Sequence, residues 1–586
     1  MQGLTRRWKL ADGHRHPSGD SLLTRIMAVR GLLDPGEIES FLQLNMASTH
    51  DPGRLPGVDT AADRLVEGIR AGESIAIYGD YDVDGITATS ILWHVVRTVA
   101  PDADIRSYVP HRLDEGYGLN PESMRALAAD GVTLVISVDC GITAIDEADL
   151  ARELGVDLII TDHHTPATDD DGEVLLPAAH SIVHPGVPGS DYPNRELCGA
   201  GVAFKLACRF ARNWCGSERV SSALQHALTD ALSLVSLGTI ADVMPLTGEN
   251  RTLAGLGLRR IRSTNLPGLQ ALIESSGLAK EDVNTDAVGF RLAPRINAAG
   301  RMGHASDAVR LLTEATGDEA NDIAGQLCSL NDERQRTERD MVEQAVEMAE
   351  AAGMTRPDRR IIVLSHPDWH AGVLGIVCSR LVDRFGRPAV LMQEIDGICR
   401  GSARSIDGYS IHEALTSCRD HLVGFGGHAA AAGLSLDASE MNDFVDAMTR
   451  HANAAITRED LVPWLVVDAD ATLSEIESGQ VKDLERMAPF GRGNAKPRLR
   501  LTDLRITEIK PMGRSNAHLS LRLSSEHDSR TVRAVWWKQG DRAETLANGM
   551  RVDVVARASL NSWRDRVTAE LEILDLATEV EQKDRP

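Results

Sequence analysis

Residues 156–164 read Val156-Asp157-Leu158-Ile159-Ile160-Thr161-Asp162-His163-His164, a short apolar run that ends in a carboxylate and two imidazoles. A run of this length, rich in branched aliphatic side chains, predicts a buried strand. Two similar junctions precede it. Ile75-Ala76-Ile77-Tyr78-Gly79 runs into Asp80-Tyr81-Asp82-Val83-Asp84-Gly85, and Leu134-Val135-Ile136-Ser137-Val138 runs into Asp139. Around them the pattern alternates: helix 61–71, strand 74–79, helix 86–99, strand 103–108, helix 121–130, strand 132–138, helix 143–154 and strand 156–161 are expected. Such alternation predicts an α/β fold with a parallel sheet covered by helices. Ligands of these sheets bind beyond the carboxyl ends of the strands, which is where all three polar clusters fall.

Outward from this core, residues 20–45 predict two short helices around Leu33-Asp34-Pro35-Gly36, with Asp34 as N-cap and Pro35 in the first helical position. A helical block is expected at 221–238, ending near Asp242, followed by a helical stretch at 251–315 with an irregular Arg-rich centre. Residues 316–352 lack proline and predict a long helix connecting two domains. A second α/β region starts at Arg360-Ile361-Ile362-Val363-Leu364, includes Pro388-Ala389-Val390-Leu391-Met392 and ends near 455. After Pro489, strands are expected at 498–509, 517–524, 529–537, 551–559 and 564–574, which suggests a small β-barrel of the OB-fold kind. The expected division is an N-terminal helical extension (1–57), the parallel-sheet domain (58–265), an Arg-rich segment with the long connecting helix (266–355), a smaller α/β domain (356–460) and a C-terminal barrel (461–586).

A length of 586 residues agrees with several domains. The formal net charge of −24 gives no global pull towards nucleic acid or anionic membrane. Carboxylates that hold metal ions, however, do not repel a phosphate once the ions are bound. A local basic excess stands at 486–514, where Arg486, Arg492, Lys496, Arg498, Arg500, Arg505, Lys510 and Arg514 face only Asp503 and Glu508. Trp536, Trp537 and Trp563 on the same predicted barrel can stack bases or pack its core. Eight cysteines without C-x-x-C spacing indicate neither a zinc ribbon nor a thioredoxin-like motif, and they fit a reducing cytosol. The start lacks the apolar segment of a signal peptide. No apolar run approaches the roughly 20 residues of a membrane span. A cytoplasmic protein without membrane contact is expected.

The strand-end residues point to metal. Asp80, Asp82 and Asp84 share one turn closed by Gly85, and oxygen ligands alone suit magnesium. Imidazole from His163 or His164 shifts the preference towards manganese, iron or zinc. Asp139, on a middle strand, can bridge two ions, and Asp242 can complete the set. Two ions roughly 3.5–4 Å apart can activate a water and stabilise the leaving oxygen of a phosphoester. A single strand-end Asp is usually a cap or turn residue; three such clusters on one sheet edge argue for a metal site. Arg291, Arg295 and Arg301, mixed with Pro294, Asn297 and Gly300, suggest a shaped phosphate-binding loop, and Arg112 is similar. In the second domain, Arg400-Gly401-Ser402-Ala403-Arg404-Ser405 and Gly424-Phe425-Gly426-Gly427-His428-Ala429-Ala430 offer small residues whose backbone amides can cradle phosphate.

These segments resemble the DHH phosphoesterase family, whose name is the triplet at 162–164, and within it the bacterial single-strand-specific 5′→3′ DNA exonucleases. The resemblance runs from about residue 20 to 575. It includes Gly238-Thr239-Ile240-Ala241-Asp242, Arg295-Ile296-Asn297-Ala298-Ala299-Gly300-Arg301 and Trp369-His370-Ala371-Gly372, and the Gly-Gly-His at 426–428 resembles the DHHA1 domain. It implies two divalent ions, Mn²⁺ or Mg²⁺, bridged by Asp139. Asp84, His163 and Asp242 would complete one shell, while Asp82 with Asp80 would serve the other. His164 would sit beside the scissile phosphate, and Ser402, Arg404 and His428 would hold the nucleotide near its 5′ end. The implied activity is in-line hydrolysis of single-stranded DNA, releasing 5′-mononucleotides in repair and recombination at the bacterial nucleoid. A single-strand-binding protein and a helicase are the implied partners. A DHH-family oligonucleotide or nucleotide phosphatase and a non-catalytic DNA-binding scaffold are the competing readings. The third domain favours a long polymer over the first of these, and the complete ligand set argues against the second.

Overall fold

A computed structural model of the chain describes residues 2–12, 20–112, 114–169, 171–526, 528–563 and 566–578. The chain forms two compact units: residues 44–336 with 489–495, and residues 1–43, 337–488 and 496–586.

The first of these units is built on five parallel strands, Ile75–Gly79, Ile105–Tyr108, Leu134–Val138, Asp157–Thr161 and Ser181–Val183. The strand Ile75–Gly79 lies between Ile105–Tyr108 and Leu134–Val138, followed by Asp157–Thr161 and Ser181–Val183. Side chains alternate between two buried faces. Ile75, Ile77, Leu134, Ile136 and Ile159 pack with helices Val83–Val99, Gly199–Cys215 and Ser222–Ala241. Ala76, Tyr78, Val135, Leu158 and Ile160 pack with Met124, Leu127, Ala148 and Ala151 from helices Pro121–Ala129 and Ile145–Glu153. The register is what positions the site. Gly79 pairs with Val138, Val138 with Thr161 and Thr161 with Val183. The next residues, Asp80, Asp139, Asp162 and His184, therefore emerge in one row at the carboxyl edge.

The sequence reading gives neither the fifth strand, Ser181–Val183, nor the helix Gly199–Cys215, and it differs from the structure in two other respects. The helix expected from 86 starts at Val83, because Asp82 accepts hydrogen bonds from the amides of Asp84 (2.8 Å) and Gly85 (3.2 Å) and so caps it three residues earlier. Gly85 thus lies in a helical turn instead of closing a loop. The Arg-rich stretch is also helical: a π-helical turn, Val288–Leu292, continues into the helix Ala293–Met302, with Pro294 just after the junction. Arg291, Arg295 and Arg301 are therefore not on a shaped loop.

In the second unit a mixed sheet holds Ile362–Ser365, Ala389–Ile395, Ile398–Arg404, Ala431–Asp437 and Gly424–Gly427, in that spatial order. The C-terminal strands Leu499–Met512, His518–Ser525, Asp528–Trp536, Arg566–Thr578 and Arg551–Trp563 pair in succession, and the last returns to the first, closing a five-stranded barrel. Its interior is filled by residues such as Leu501, Ile506, Leu521, Val554, Ala556 and Leu571. The predicted strand 564–574 opens on two residues outside the described set. The N-terminal region is not wholly helical. Arg7–Leu10 forms a parallel strand with Trp464–Val467, and the buried Asp575 of the barrel accepts from Thr5 N (3.1 Å), Arg6 N (3.0 Å) and Trp8 Nε1 (2.8 Å). The long helix runs Gly317–Ala351, with its first part in one unit and its last part in the other.

Candidate metal centre

The carboxyl edge of the parallel sheet gathers Asp80, Asp82, Asp84, Asp139, His163 and Asp242. His163 Nε2 lies 3.1 Å from Asp139 Oδ1 and 3.7 Å from both Asp84 Oδ2 and Asp242 Oδ2. Three groups of donor atoms lie within 4.8 Å of one another: Asp84 with His163 and Asp242; Asp80 with Asp82 and Asp139; and Asp139 with His163 and His164.

Backbone context holds several of these candidate ligands. Asp84 is buried and accepts from the first amides of helix Gly199–Cys215, Gly199 N at 2.6 Å and Ala200 N at 2.9 Å. A helix N-terminus favours this negative charge. Asp139 has φ 63°, the left-handed region that non-glycine residues rarely adopt, and Tyr117 Oη donates to its carbonyl (3.1 Å). Asp242 is the C-cap of helix Ser222–Ala241. Two glycines make room. A Cβ at Gly199 would stand 2.6 Å from Asp139 Cβ and Oδ1, and one at Gly238 would stand 2.4 Å from Asp84 Oδ1.

The electrostatics fit a cation pair. Asp80 Oδ1, Asp139 Oδ1, His163 Nε2 and Asp242 Oδ2 are buried without a hydrogen-bond partner. Burial first, then repulsion from neighbouring carboxylates, pushes the carboxyls of Asp80, Asp82 and Asp139 upwards, and takes Asp242 up to about 8. Burial lowers His163, keeping its imidazole neutral with a lone pair to give. So many clustered carboxylates cannot all ionise without positive charge among them. Oxygen donors with one neutral imidazole suit Mn²⁺ or Mg²⁺.

His164 stands apart in character. Its Nδ1 lies 2.8 Å from Asp162 Oδ1 and 3.1 Å from Tyr117 Oη. Burial alone would lower it, but the hydrogen bond and charge of Asp162 hold it up at about 9. Asp162 is correspondingly depressed to about 2: burial opposes this, but the hydrogen bond and charge of His164 and the amide of Ile142 (2.9 Å) outweigh it. His184 Nε2 contacts the His164 carbonyl at 2.8 Å. The sequence reading gave no role to Asp162, Tyr117 or His184. It also missed the amides at 199–200, whose signal was the run Cys198-Gly199-Ala200-Gly201.

The predicted phosphate contacts separate. The Arg112 guanidinium stacks over Tyr81 at 4.8 Å. Arg301 is lowered to about 10 by burial and by the charges of Arg112 and Arg334, against Asp82 and Tyr81. Its helix braces the acidic turn, since Asn297 Oδ1 accepts from Val83 N (3.2 Å) and a Cβ at Gly300 would stand 2.8 Å from the Tyr81 carbonyl. Arg291 donates instead to the Gly277 carbonyl (3.2 Å) and Arg295 to Cys328 Sγ (3.2 Å). In the other unit, Ser402 and Arg404 lie on one strand, and His428 follows another at the same sheet edge, where Arg404 pairs with Ala431 and His428 N donates to Ala431 O (2.8 Å).

Half of the eight cations at 486–514 meet carboxylates outside that run. Arg500 pairs with Asp470 (2.6 Å), Arg505 with Glu526, Arg486 with Asp483 (3.7 Å) and Arg492 with Glu196 (4.0 Å). Trp536 is buried, whereas Trp537 is exposed and meets the His518 ring edge-on at 4.9 Å. The Trp563 side chain lies outside the described residues.

Known proteins agree with this architecture. The DHH family N-terminal domain matches residues 74–239, the DHHA1 domain 358–454 and the RecJ OB domain 467–575. Single-stranded-DNA-specific exonuclease RecJ of Bacillus subtilis is 39% identical over 95% of this chain and 68% of its own length. The crystal structures of RecJ from Thermus thermophilus superpose over 98% of this chain. The Mn²⁺ complex does so at 31% identity and TM-score 0.77 over 79% of its chain, and the Mg²⁺ complex at 30% and 0.73 over 78%. With the metal cluster at the sheet edge and all three domain types in order, this chain belongs to the RecJ family.

Proposed function

We propose that this RecJ-family chain is a metal-dependent exonuclease that degrades single-stranded DNA in the 5′→3′ direction, releases 5′-mononucleotides and serves DNA repair and recombination. The observation that carries the reading is the buried cluster in which Asp80, Asp139, His163 and Asp242 each present an unpartnered polar atom. Left unmet, each such atom costs about 1–3 kcal/mol.

Asp84, His163 and Asp242 would hold one divalent ion, Asp80 and Asp82 the other, and Asp139 would bridge them. Bound there, the pair activates water and stabilises the leaving oxygen of a phosphodiester. His164, kept cationic by Asp162, presents a charged N–H to a phosphate oxygen, and Tyr117 fixes its ring. Arg112 and Arg301 flank the acidic turn and supply planar donors for phosphate. Ser402, Arg404 and His428 are the proposed contacts to the 5′-terminal nucleotide. On the barrel, Trp537 and His518 offer an exposed stacking surface. A single-strand-binding protein and a helicase that supplies unwound ends complete the proposal, as does a cytoplasmic setting at the nucleoid. Among the described residues no helix is long and apolar enough to cross a membrane.

The test uses single-stranded DNA labelled at either end, with Mn²⁺ or Mg²⁺. Early release of mononucleotide from the 5′ label, with blunt duplex left intact, is expected. Equal release from both ends defeats the polarity. Asp139→Ala should abolish cleavage and keep strand binding; normal cleavage by that variant defeats the ligand assignment.

A further inference from the structure

Phe290 is 78% exposed, the highest value among the exposed large apolar side chains of the described residues. A lone surface apolar residue needs no explanation, but two other features single this one out. First, it sits in the π-helical turn Val288–Leu292, and single π-turns occur frequently at functional sites. Second, the helical rod 285–302 carries Arg291, Arg295 and Arg301 against a single carboxylate, Asp286, in a chain of net charge −24. Elsewhere arginines are commonly met by carboxylates, as on the barrel. Arg291 donates to the carbonyls of Ser276 and Gly277, Arg295 donates to the Arg291 carbonyl and Cys328 Sγ, and neither forms an ion pair among the described residues. The exposed Phe290 and Arg291, with the half-buried Pro294 and Arg295, thus make an aromatic surface bordered by unneutralised guanidinium groups.

We infer that Phe290 is a base-stacking contact for the single strand, with Arg291 and Arg295 beside it for the backbone, one helix-length away from the metal centre. This rests on the single-stranded DNA reading above. The same helical rod carries Arg301 beside the acidic turn. At about 1.5 Å per residue the aromatic ring lies roughly 15 Å further along it, too far for the nucleotide being cleaved and suited to one that follows. A polyanion with exposed bases is the occupant that matches both a π-face and unpaired guanidinium groups. As a contact remote from the reacting bond, Phe290 positions substrate and takes no part in the chemistry.

The test compares wild type, Phe290→Ala and Phe290→Trp on a long oligothymidylate and on a 5′-phosphorylated dinucleotide. For Phe290→Ala, KM for the long strand should rise roughly tenfold, with kcat unchanged and the dinucleotide cleaved at the wild-type rate. Phe290→Trp should keep the wild-type KM. An abasic site moved along the long strand should weaken wild type at one position and add no further loss to Phe290→Ala. An unchanged KM, or equal losses on both substrates, overturns the proposal. So does a wild-type oligomer that Phe290→Ala dissociates without changing KM, which would assign the surface to a second copy. Failure of wild type to degrade single strands would sink the function itself; an active wild type with an indifferent Phe290→Ala sinks only this contact.

Discussion

Gly199→Ala should cost the protein its metal affinity while improving the intrinsic helix preference of the same position. Gly199 opens the helix Gly199–Cys215, and its amide donates to Asp84 Oδ2. Alanine is favoured over glycine inside a helix by about 0.5–1 kcal/mol, so propensity alone predicts a more stable protein. The added methyl, however, would lie 2.6 Å from Asp139 Cβ and Oδ1, about 0.8 Å inside the 3.4 Å at which ordinary contact begins. Forcing atoms into a filled site costs about 1–3 kcal/mol. The clash therefore outweighs the propensity gain. Relief requires either the Asp139 carboxylate to turn or the helix terminus to withdraw from Asp84, and each route displaces a proposed ligand. Metal sites tolerate distance errors of only about 0.2 Å, and disturbing the groups that orient a ligand typically costs roughly 10–100-fold in affinity. Calorimetric titration with Mn²⁺ should show a loss in that range, with single-strand cleavage falling in parallel at limiting metal. Gly325→Ala, in the middle of the long helix with nothing within 4 Å of its Cβ, is the control: it should gain stability and bind Mn²⁺ as wild type does. Wild-type Mn²⁺ affinity in Gly199→Ala would refute the placement of Asp139 and Asp84 around one centre.

Two further outcomes are expected. Asp575→Ala leaves Thr5 N, Arg6 N and Trp8 Nε1 without their acceptor and should destabilise the barrel-containing unit by about 1–3 kcal/mol for each donor left buried and unmet; an unmoved urea transition for that unit would show the N-terminal strap to be dispensable. In chelator-treated protein, His164 titrates near 9 against an ordinary 6.5, so its raised pKa contributes stability that is full below 6.5 and lost as pH rises through 9; Asp162→Asn should remove this dependence, and identical melting profiles from about pH 6 to 10 would exclude the ion pair.

Strand positions in the parallel sheet were legible because both faces are buried, so apolar runs such as Leu134–Val138 stand out against their flanks. Most of the proposed metal-binding residues stood out because they follow strand ends, although Asp242 caps a helix. What sequence could not show is how one group is held by another far along the chain. Asp162 looks like a ligand of the same kind as its neighbours, yet it is the counter-ion of His164 and accepts from the Ile142 amide. The helix that holds Asp84 begins 115 residues further along the chain, at Gly199. The N-terminal strand at Arg7–Leu10 is four residues long and finds its partner at Trp464–Val467, a pairing no local pattern encodes. The Arg-rich stretch read as a loop because proline and glycine punctuate it, but Pro294 falls where the π-helical turn Val288–Leu292 passes into the α-helix, and the chain stays helical through it.

The basic run at 486–514 carries the broader lesson about charge. Counted along the chain it is a cationic patch; folded, several of its guanidinium groups meet carboxylates such as Asp470 and Glu526. A cation already paired with a carboxylate offers little to a phosphate, because engaging one means releasing the other. An acidic chain that binds a polyanion must then draw on the few places where positive charge is unpaired, and on groups whose attraction does not depend on net charge. In the catalytic unit such places include Arg112, stacked on Tyr81, and Arg291 and Arg295 on one helical rod. The exposed aromatic rings of Phe290 and Trp537 offer the second kind of attraction, stacking, which salt screens far less than ion pairing. A double helix hides its base faces and cannot use those rings. Preference for a single strand therefore follows from how this chain distributes its charge as well as from the chemistry at its metal centre.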